Sequence, residues 1–113
     1  MDNKITVVYI ACPYTNGDVA VNVRESIIAT DKLRALGFLP FNPLFTHFWH
    51  LLVPHTYEYW TKMDMEWLGV CDCILRLPGE SSGADEEVKK MRELGKPVYY
   101  NIESLIAKEL NHE

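Results

Sequence analysis

Val70-Cys71-Asp72-Cys73-Ile74-Leu75-Arg76-Leu77-Pro78-Gly79-Glu80-Ser81-Ser82-Gly83-Ala84-Asp85-Glu86-Glu87 is the stretch on which the reading of the fold turns. Val70 to Leu77 is short and mostly apolar, the pattern of a buried strand, and the small-residue turn after it leads into an acidic helix start. In open parallel sheets ligands bind beyond the carboxyl ends of the strands, so Ser81 to Glu87 is predicted to lie at an active edge. The serines can cap the helix, Gly83 lets a ligand approach the backbone closely, and the free N–H groups of the first turn suit an anion. The helix dipole favours a charged carboxylate there, which predicts an ionised Glu87 able to act as a nucleophile at neutral pH. Acidic residues also occupy first turns simply because they suit the dipole, and that reading stands beside the catalytic one.

Working upstream, Ile5-Thr6-Val7-Val8-Tyr9-Ile10-Ala11 is β-branched and aromatic and ends at Cys12-Pro13, as a central parallel strand entering a functional loop does. Asp18 to Leu36 has apolar residues at helical spacing and Gly37 as a stop, and Phe38 to Asn42 reads as a short strand that Pro40 and Pro43 place near an edge or its end. Leu44 to Tyr59 is dense in aromatic and histidine residues, with Pro54 interrupting any helix, and is predicted to be an irregular lid or pocket wall. A helix then starts at Thr56 or Thr61 and runs to about Leu68, with Gly69 as its stop. On it Trp60, Asp64 and Trp67 share a face, so Asp64 is either an acid set between two tryptophans or a solvated helix acid.

Downstream, Ser82 to Leu94 is predicted to be a helix ended by Gly95, Lys96 to Tyr100 a strand and Ile102 to Leu110 a helix. Strands alternating with helices predict one parallel sheet with right-handed crossovers and helices on both faces.

With 113 residues the chain has room for one core, and residues 1–113 are read as one domain. A net charge of -5 with scattered basic residues disfavours nucleic-acid polymers. Cys12, Cys71 and Cys73 form no secreted-type framework and read as reduced core residues, with Cys71 and Cys73 on one face of a strand. His47, His50 and His55 make only a loose cluster, so no metal is expected. The apolar run Ile5 to Ile10 is too short to span a membrane and lacks a cleavage pattern, which predicts a cytoplasmic protein without membrane partners.

Three places converge on this plan: the exit of the first strand at Tyr9 to Tyr14, the helix carrying Asp64, and the turn from Ser81 to Glu87. Two carboxylates and a tyrosine at one pocket suit cleavage of a glycosidic bond, one acid attacking or shielding the anomeric carbon and the other assisting the leaving group. At these residues the chain resembles the nucleoside 2-deoxyribosyltransferase superfamily, which includes the 2'-deoxynucleoside 5'-monophosphate N-glycosidases. The resemblance runs from Val7 to about Tyr100 and is carried by Tyr9-Ile10-Ala11, by Asp64-Met65-Glu66-Trp67-Leu68 with Cys71-Asp72, and by Ser81-Ser82-Gly83-Ala84-Asp85-Glu86-Glu87. The form Tyr9-Ile10-Ala11-Cys12-Pro13-Tyr14 looks most like the small bacterial and phage members.

The resemblance implies a Rossmann-like or flavodoxin-like α/β three-layer sandwich with a four- or five-stranded, mainly parallel sheet. It implies Glu87 as nucleophile, with Glu86 the neighbouring competitor, Asp64 as the acid and Tyr9 as the residue that orients Glu87. Where the monophosphate hydrolases carry a Gly-Ser loop with an arginine, this chain has Cys12-Pro13-Tyr14-Thr15-Asn16-Gly17, which leaves Ser81, Ser82, Gly83 and the helix amides to hold a 5'-phosphate. Cys12, Pro13 and Tyr14 are expected to touch substrate, and Phe45, His47, Trp49, Tyr59 and Trp60 to stack on a base or to form core and subunit interface. No metal or organic cofactor is implied, and a homodimer or higher homo-oligomer is expected. The expected activity is cleavage of a (2'-deoxy)nucleoside or its 5'-monophosphate, by hydrolysis or base transfer. A nucleotide-binding or sensing module without turnover, or an oligomerisation domain, are the rival readings.

Overall fold

The computed structural model describes residues 4–110. Its elements follow one another as β1 (Val7–Ala11), α1 (Val19–Ala35), β2 (Leu39–Phe41), a 3-10 turn (Pro43–Thr46), α2 (His47–Leu52), α3 (Tyr57–Val70), β3 (Cys73–Arg76), α4 (Ser82–Glu93), β4 (Val98–Tyr99) and α5 (Ile102–Glu109). The helices begin where short polar side chains can satisfy their free amides. Asp18 accepts from the backbone N–H of Ala20 at 2.9 Å, Thr56 from Tyr59 at 3.1 Å, Ser81 from Ala84 at 3.0 Å and Asn101 from Ser104 at 2.8 Å. Of the two starts predicted for α3, Thr56 is the one used.

The four strands lie in the order β2-β1-β3-β4 and every neighbouring pair is parallel. Tyr9 stands opposite Phe41 on one side and Ile74 on the other, and Ala11 opposite Arg76. Alternation along the strands splits the core into two layers. Val8, Ile10, Cys12, Cys73 and Leu75 pack with Leu33 of α1 and Leu105 of α5, whereas Tyr9, Ala11 and Ile74 pack with Leu68 of α3 and Ala84, Val88 and Met91 of α4. The chain is thus an α/β three-layer sandwich of the predicted class. Chain order reverses between β1 and β3, which makes the carboxyl ends of that pair the switch point where such sheets bind ligands.

Two expectations are corrected. Leu44 to Tyr59 is not irregular: Asn42 caps the 3-10 turn, α2 follows, and Pro54 falls in the break before α3. α3 itself ends at Val70, beside the expected stop near Gly69, where the Lys96 ammonium donates to the carbonyls of Leu68, Gly69 and Cys71 at 3.2, 2.9 and 2.6 Å. Cys71 and Cys73 do not share a face. Cys71 caps α3 in the α3/α4 layer, β3 starts only at Cys73, and Cys73 enters the opposite layer. All three cysteines are free and buried, and burial pushes the thiols of Cys12 and Cys73 up to about 12 and that of Cys71 up to about 11. No helix among the described residues is long and apolar enough to cross a membrane.

Gly79 sits at φ +114, and a Cβ there would lie 2.7 Å from Cγ of Pro13, so the turns after β1 and β3 touch where only glycine fits. Gly17 has a comparable φ of +92 but open space around it. Gly79→Ala should cost about 1–3 kcal/mol and clearly more than Gly17→Ala. Chemical denaturation of both variants checks this, and equal losses would show that the Pro13 contact is without weight.

Candidate active site

A cleft of about 680 Å³ opens over the carboxyl ends of β1 and β3, within the range of small-ligand sites. Its floor is Cys12 and the start of α4 with Ser81, Ser82, Gly83 and Glu87, and one wall is α3 with Trp60, Thr61, Asp64 and Met65. The facing wall is the loop after β1, with Tyr14, Thr15 and Asn16, together with His47 and His50 of α2. Asn22 ties that loop to α1, its amide donating to the carbonyls of Tyr14 and Asn16, each at 3.0 Å. Tyr14 is in turn hydrogen-bonded through its hydroxyl to His47 Nδ1.

Glu87 is 9% exposed at the bottom of the cleft. The hydroxyl of Tyr9, fully buried beneath it on β1, donates to Glu87 Oε2 at 2.6 Å. That hydrogen bond holds one carboxyl oxygen and leaves the other toward the cleft. The Tyr9 hydroxyl stays protonated, because burial first and then the Glu87 charge push its pKa well above the ordinary value.

Burial works against the ionised state expected for Glu87. Burial pushes its carboxyl from the ordinary 4.5 up to about 8, against the lowering effect of the Tyr9 hydrogen bond, with Asp64 pushing it further up and Arg76 pulling it down. The dipole does not decide the matter, since Ser82 opens α4 and Glu87 is therefore in the second turn, where the end effect has decayed. Asp64 is raised from 3.8 to about 7, by burial. The cleft therefore carries two carboxyls whose pKa values are raised well above the ordinary carboxylate range, by burial in each case.

Of the residues singled out in the sequence, Cys12, Tyr14, His47, Trp60, Asp64, Ser81, Ser82, Gly83 and Glu87 line this one cleft. Tyr9 stands behind it and touches it only through Glu87. Pro13 instead lines a smaller hollow of about 270 Å³ between α1 and the β3 turn. Trp49 packs edge-on against Trp60 at 5.0 Å without lining the cleft, and Phe45 is exposed. Trp67 does not flank Asp64 there: it stacks on Phe41 at 4.2 Å, because seven residues of helix carry it about 10 Å along from Trp60. Glu86 is exposed and also lines the cleft. Among residues not anticipated as substrate contacts, Thr61 was legible as a neighbour of Asp64 on one helix face, and His50 and His55 as the remainder of the histidine cluster. No group of three potential metal ligands occurs among the described residues.

This architecture, with a buried Glu87 and a half-buried Asp64 in one cleft at the switch point of a doubly wound parallel sheet, defines an α/β domain with a small-ligand cleft. Residues 6–100 match the domain of unknown function DUF4406, and the chain belongs to that family. No curated protein matches the sequence at a significant level. Among solved structures, the chain superimposes on a 2-deoxyribosyltransferase from the psychrotolerant bacterium Bacillus psychrosaccharolyticus with a TM-score of 0.64. Identity is 23%, over 82% of this chain and 69% of that one, a likeness of fold.

The raised acids make stability depend on pH in a definite direction. Between about 4.5 and about 8 the folded protein keeps a proton on Glu87 that the unfolded chain has lost, so this group's contribution falls as pH rises through that window and stays low above it. Asp64 adds the same sign between 3.8 and about 7. Glu87→Gln, which still accepts from Tyr9, should therefore flatten the fall in Tm between about pH 5 and about pH 8 and raise Tm by several degrees at the upper end. Thermal scans across that range check it, and identical slopes for both proteins would contradict the burial argument.

Proposed function

We propose that the protein cleaves the N-glycosidic bond of a nucleoside or nucleoside 5'-monophosphate, with a 2'-deoxyribose as the expected sugar. The observation that carries this reading is the pair of acids in one cleft, Asp64 half-buried on its wall and Glu87 buried and held from below by the Tyr9 hydroxyl at 2.6 Å. The fold shared with the deoxyribosyltransferase supports it.

In this mechanism ionised Glu87 attacks the anomeric carbon as the bond from that carbon to the base nitrogen breaks. The bonding pair leaves with the base, and protonated Asp64 delivers a proton to it. The glycosyl ester on Glu87 is then opened by water, or by a second base, whose proton returns to Asp64. Tyr9 acts as a positioning residue, fixing one oxygen of Glu87. Ser81, Ser82, Gly83 and the first amides of α4 suit the sugar and a 5'-phosphate, and the Trp60 and His47 end of the cleft suits a base. Without turnover, the same cleft would serve a nucleotide-binding module.

Because Glu87 must be ionised and Asp64 protonated, while burial puts the two near about 8 and about 7, the productive proton distribution peaks between these values. Base release, followed by separating free bases from a panel of nucleosides and monophosphates with and without acceptor bases, should give a bell-shaped pH profile with its maximum there. Glu87→Gln should lower it at least 1,000-fold, on the order expected for loss of a nucleophile, whereas Glu86→Gln, which lacks the Tyr9 contact, should stay within about threefold. The reverse ranking would transfer the nucleophile to Glu86, and base release absent from the wild type under every condition would leave the binding-module reading.

The expected homo-oligomer has one candidate surface, the outer side of α2, where Leu52 is 84% and Phe48 70% exposed. Neighbouring large apolar side chains left in water mark interaction surfaces. Leu52→Glu should shift sedimentation toward the monomer, and a wild type that stays monomeric at tens of micromolar would remove the oligomer.

A further inference from the structure

His50 is held in one tautomer by partners that can only donate. The Trp60 indole N–H donates to His50 Nδ1 at 2.8 Å, and the backbone N–H of His55 reaches the same nitrogen at 3.3 Å. Neither group can accept, so Nδ1 carries the lone pair and the proton of the neutral ring sits on Nε2. Ring contacts fix the orientation as well: Trp60 lies edge-on to His50 at 5.7 Å and to His55 at 5.5 Å, and His55 stacks on Tyr59 at 3.7 Å. His50 is half-buried and lines the cleft, and its Nε2–H has no hydrogen-bond partner among the described residues.

The position of this donor matters as much as its tautomer. Trp60 is one helical turn before Asp64 on the same wall, so a heterocycle that takes its proton from Asp64 extends its far edge toward Trp60 and His50. A carbonyl oxygen at that edge pairs with the Nε2–H. An exocyclic amine there sets donor against donor and leaves both unpaired. We propose that His50 is a specificity-determining residue that selects bases with a carbonyl at the edge away from the sugar, the 6-oxopurines and 4-oxopyrimidines, over their amino counterparts. This rests on the reading of the cleft as a nucleoside site.

Calorimetric binding of the free bases in matched pairs, hypoxanthine against adenine and uracil against cytosine, tests the proposal independently of turnover. The wild type should favour the oxo member of at least one pair by about tenfold or more. His50→Phe keeps a ring in place and should bring the ratio near one, chiefly by weakening the oxo base. Trp60→Phe keeps stacking but removes the shorter of the two hydrogen bonds to Nδ1, leaving only the 3.3 Å contact from His55, and should lower the same ratio; it also decides the matter if His50→Phe fails to fold. A ratio near one in the wild type, an unchanged ratio in both variants, or no binding of any base would overturn the assignment. Base release without an oxo preference would overturn it while leaving the glycosidic reading intact. An oxo preference without base release from the matching deoxynucleosides would do the opposite.

Discussion

The parallel pairing of β1 with β3 is the constraint on which the site depends. It sets Tyr9 beside Ile74 and Ala11 beside Arg76, so that both strands release their chains at the same level. The loop after β1 and the turn into α4 then face each other across the switch point. Arg76, the last residue of β3, shapes the second of these: its guanidinium donates to the carbonyls of Leu77 and Gly79 and to the Asp85 carboxylate. One strand pair thereby fixes the height of Tyr9 under Glu87, the start of α4 and the contact between Pro13 and Gly79.

What surrounds this pair is a compromise between packing and chemistry. Glu87 sits on the inward face of α4 beside Ala84, Val88 and Met91, a position that an apolar residue would fill at no electrostatic cost. The hydrogen bond from Tyr9 and the charge of Arg76 offset part of that cost, but desolvation prevails and the pKa is raised. Among the described residues no buried side-chain nitrogen or oxygen lacks a hydrogen-bond partner. Asn42 donates to Ser26 at 3.0 Å and Thr30 at 3.1 Å while accepting from Leu44, pinning α1 to the end of β2. A framework closed in this way can carry one unfavourable acid pair at its centre.

Much of this could be read in the sequence because it is local. The β-branched and aromatic run Val7–Ala11, caps at Asp18, Ser81 and Asn101, and the glycines after α1 and α4 each encode their element within a few residues. The convergence of Asp64 and Glu87 was legible from topology, since both precede or follow β3 on the same side of the sheet. Failures came where a distant partner decides. The late start of β3 separates Cys71 from Cys73, and desolvation rather than the dipole dominates the pKa of Glu87. The contacts of His50 and His55 were hidden because their partners, Trp60 and Tyr59, lie on another element.

The three buried thiols have a practical consequence. Only a thiolate attacks maleimides, iodoacetamide or peroxide at a useful rate, and burial raises all three thiols, Cys12 and Cys73 to about 12 and Cys71 to about 11, so that little thiolate is present at neutral pH. The native protein is therefore close to silent toward such reagents without any cysteine being removed. A single cysteine introduced at an exposed position of the cleft wall, such as Thr15 in the loop after β1, would take a fluorophore or spin label almost exclusively, giving a direct optical or magnetic view of how that wall moves.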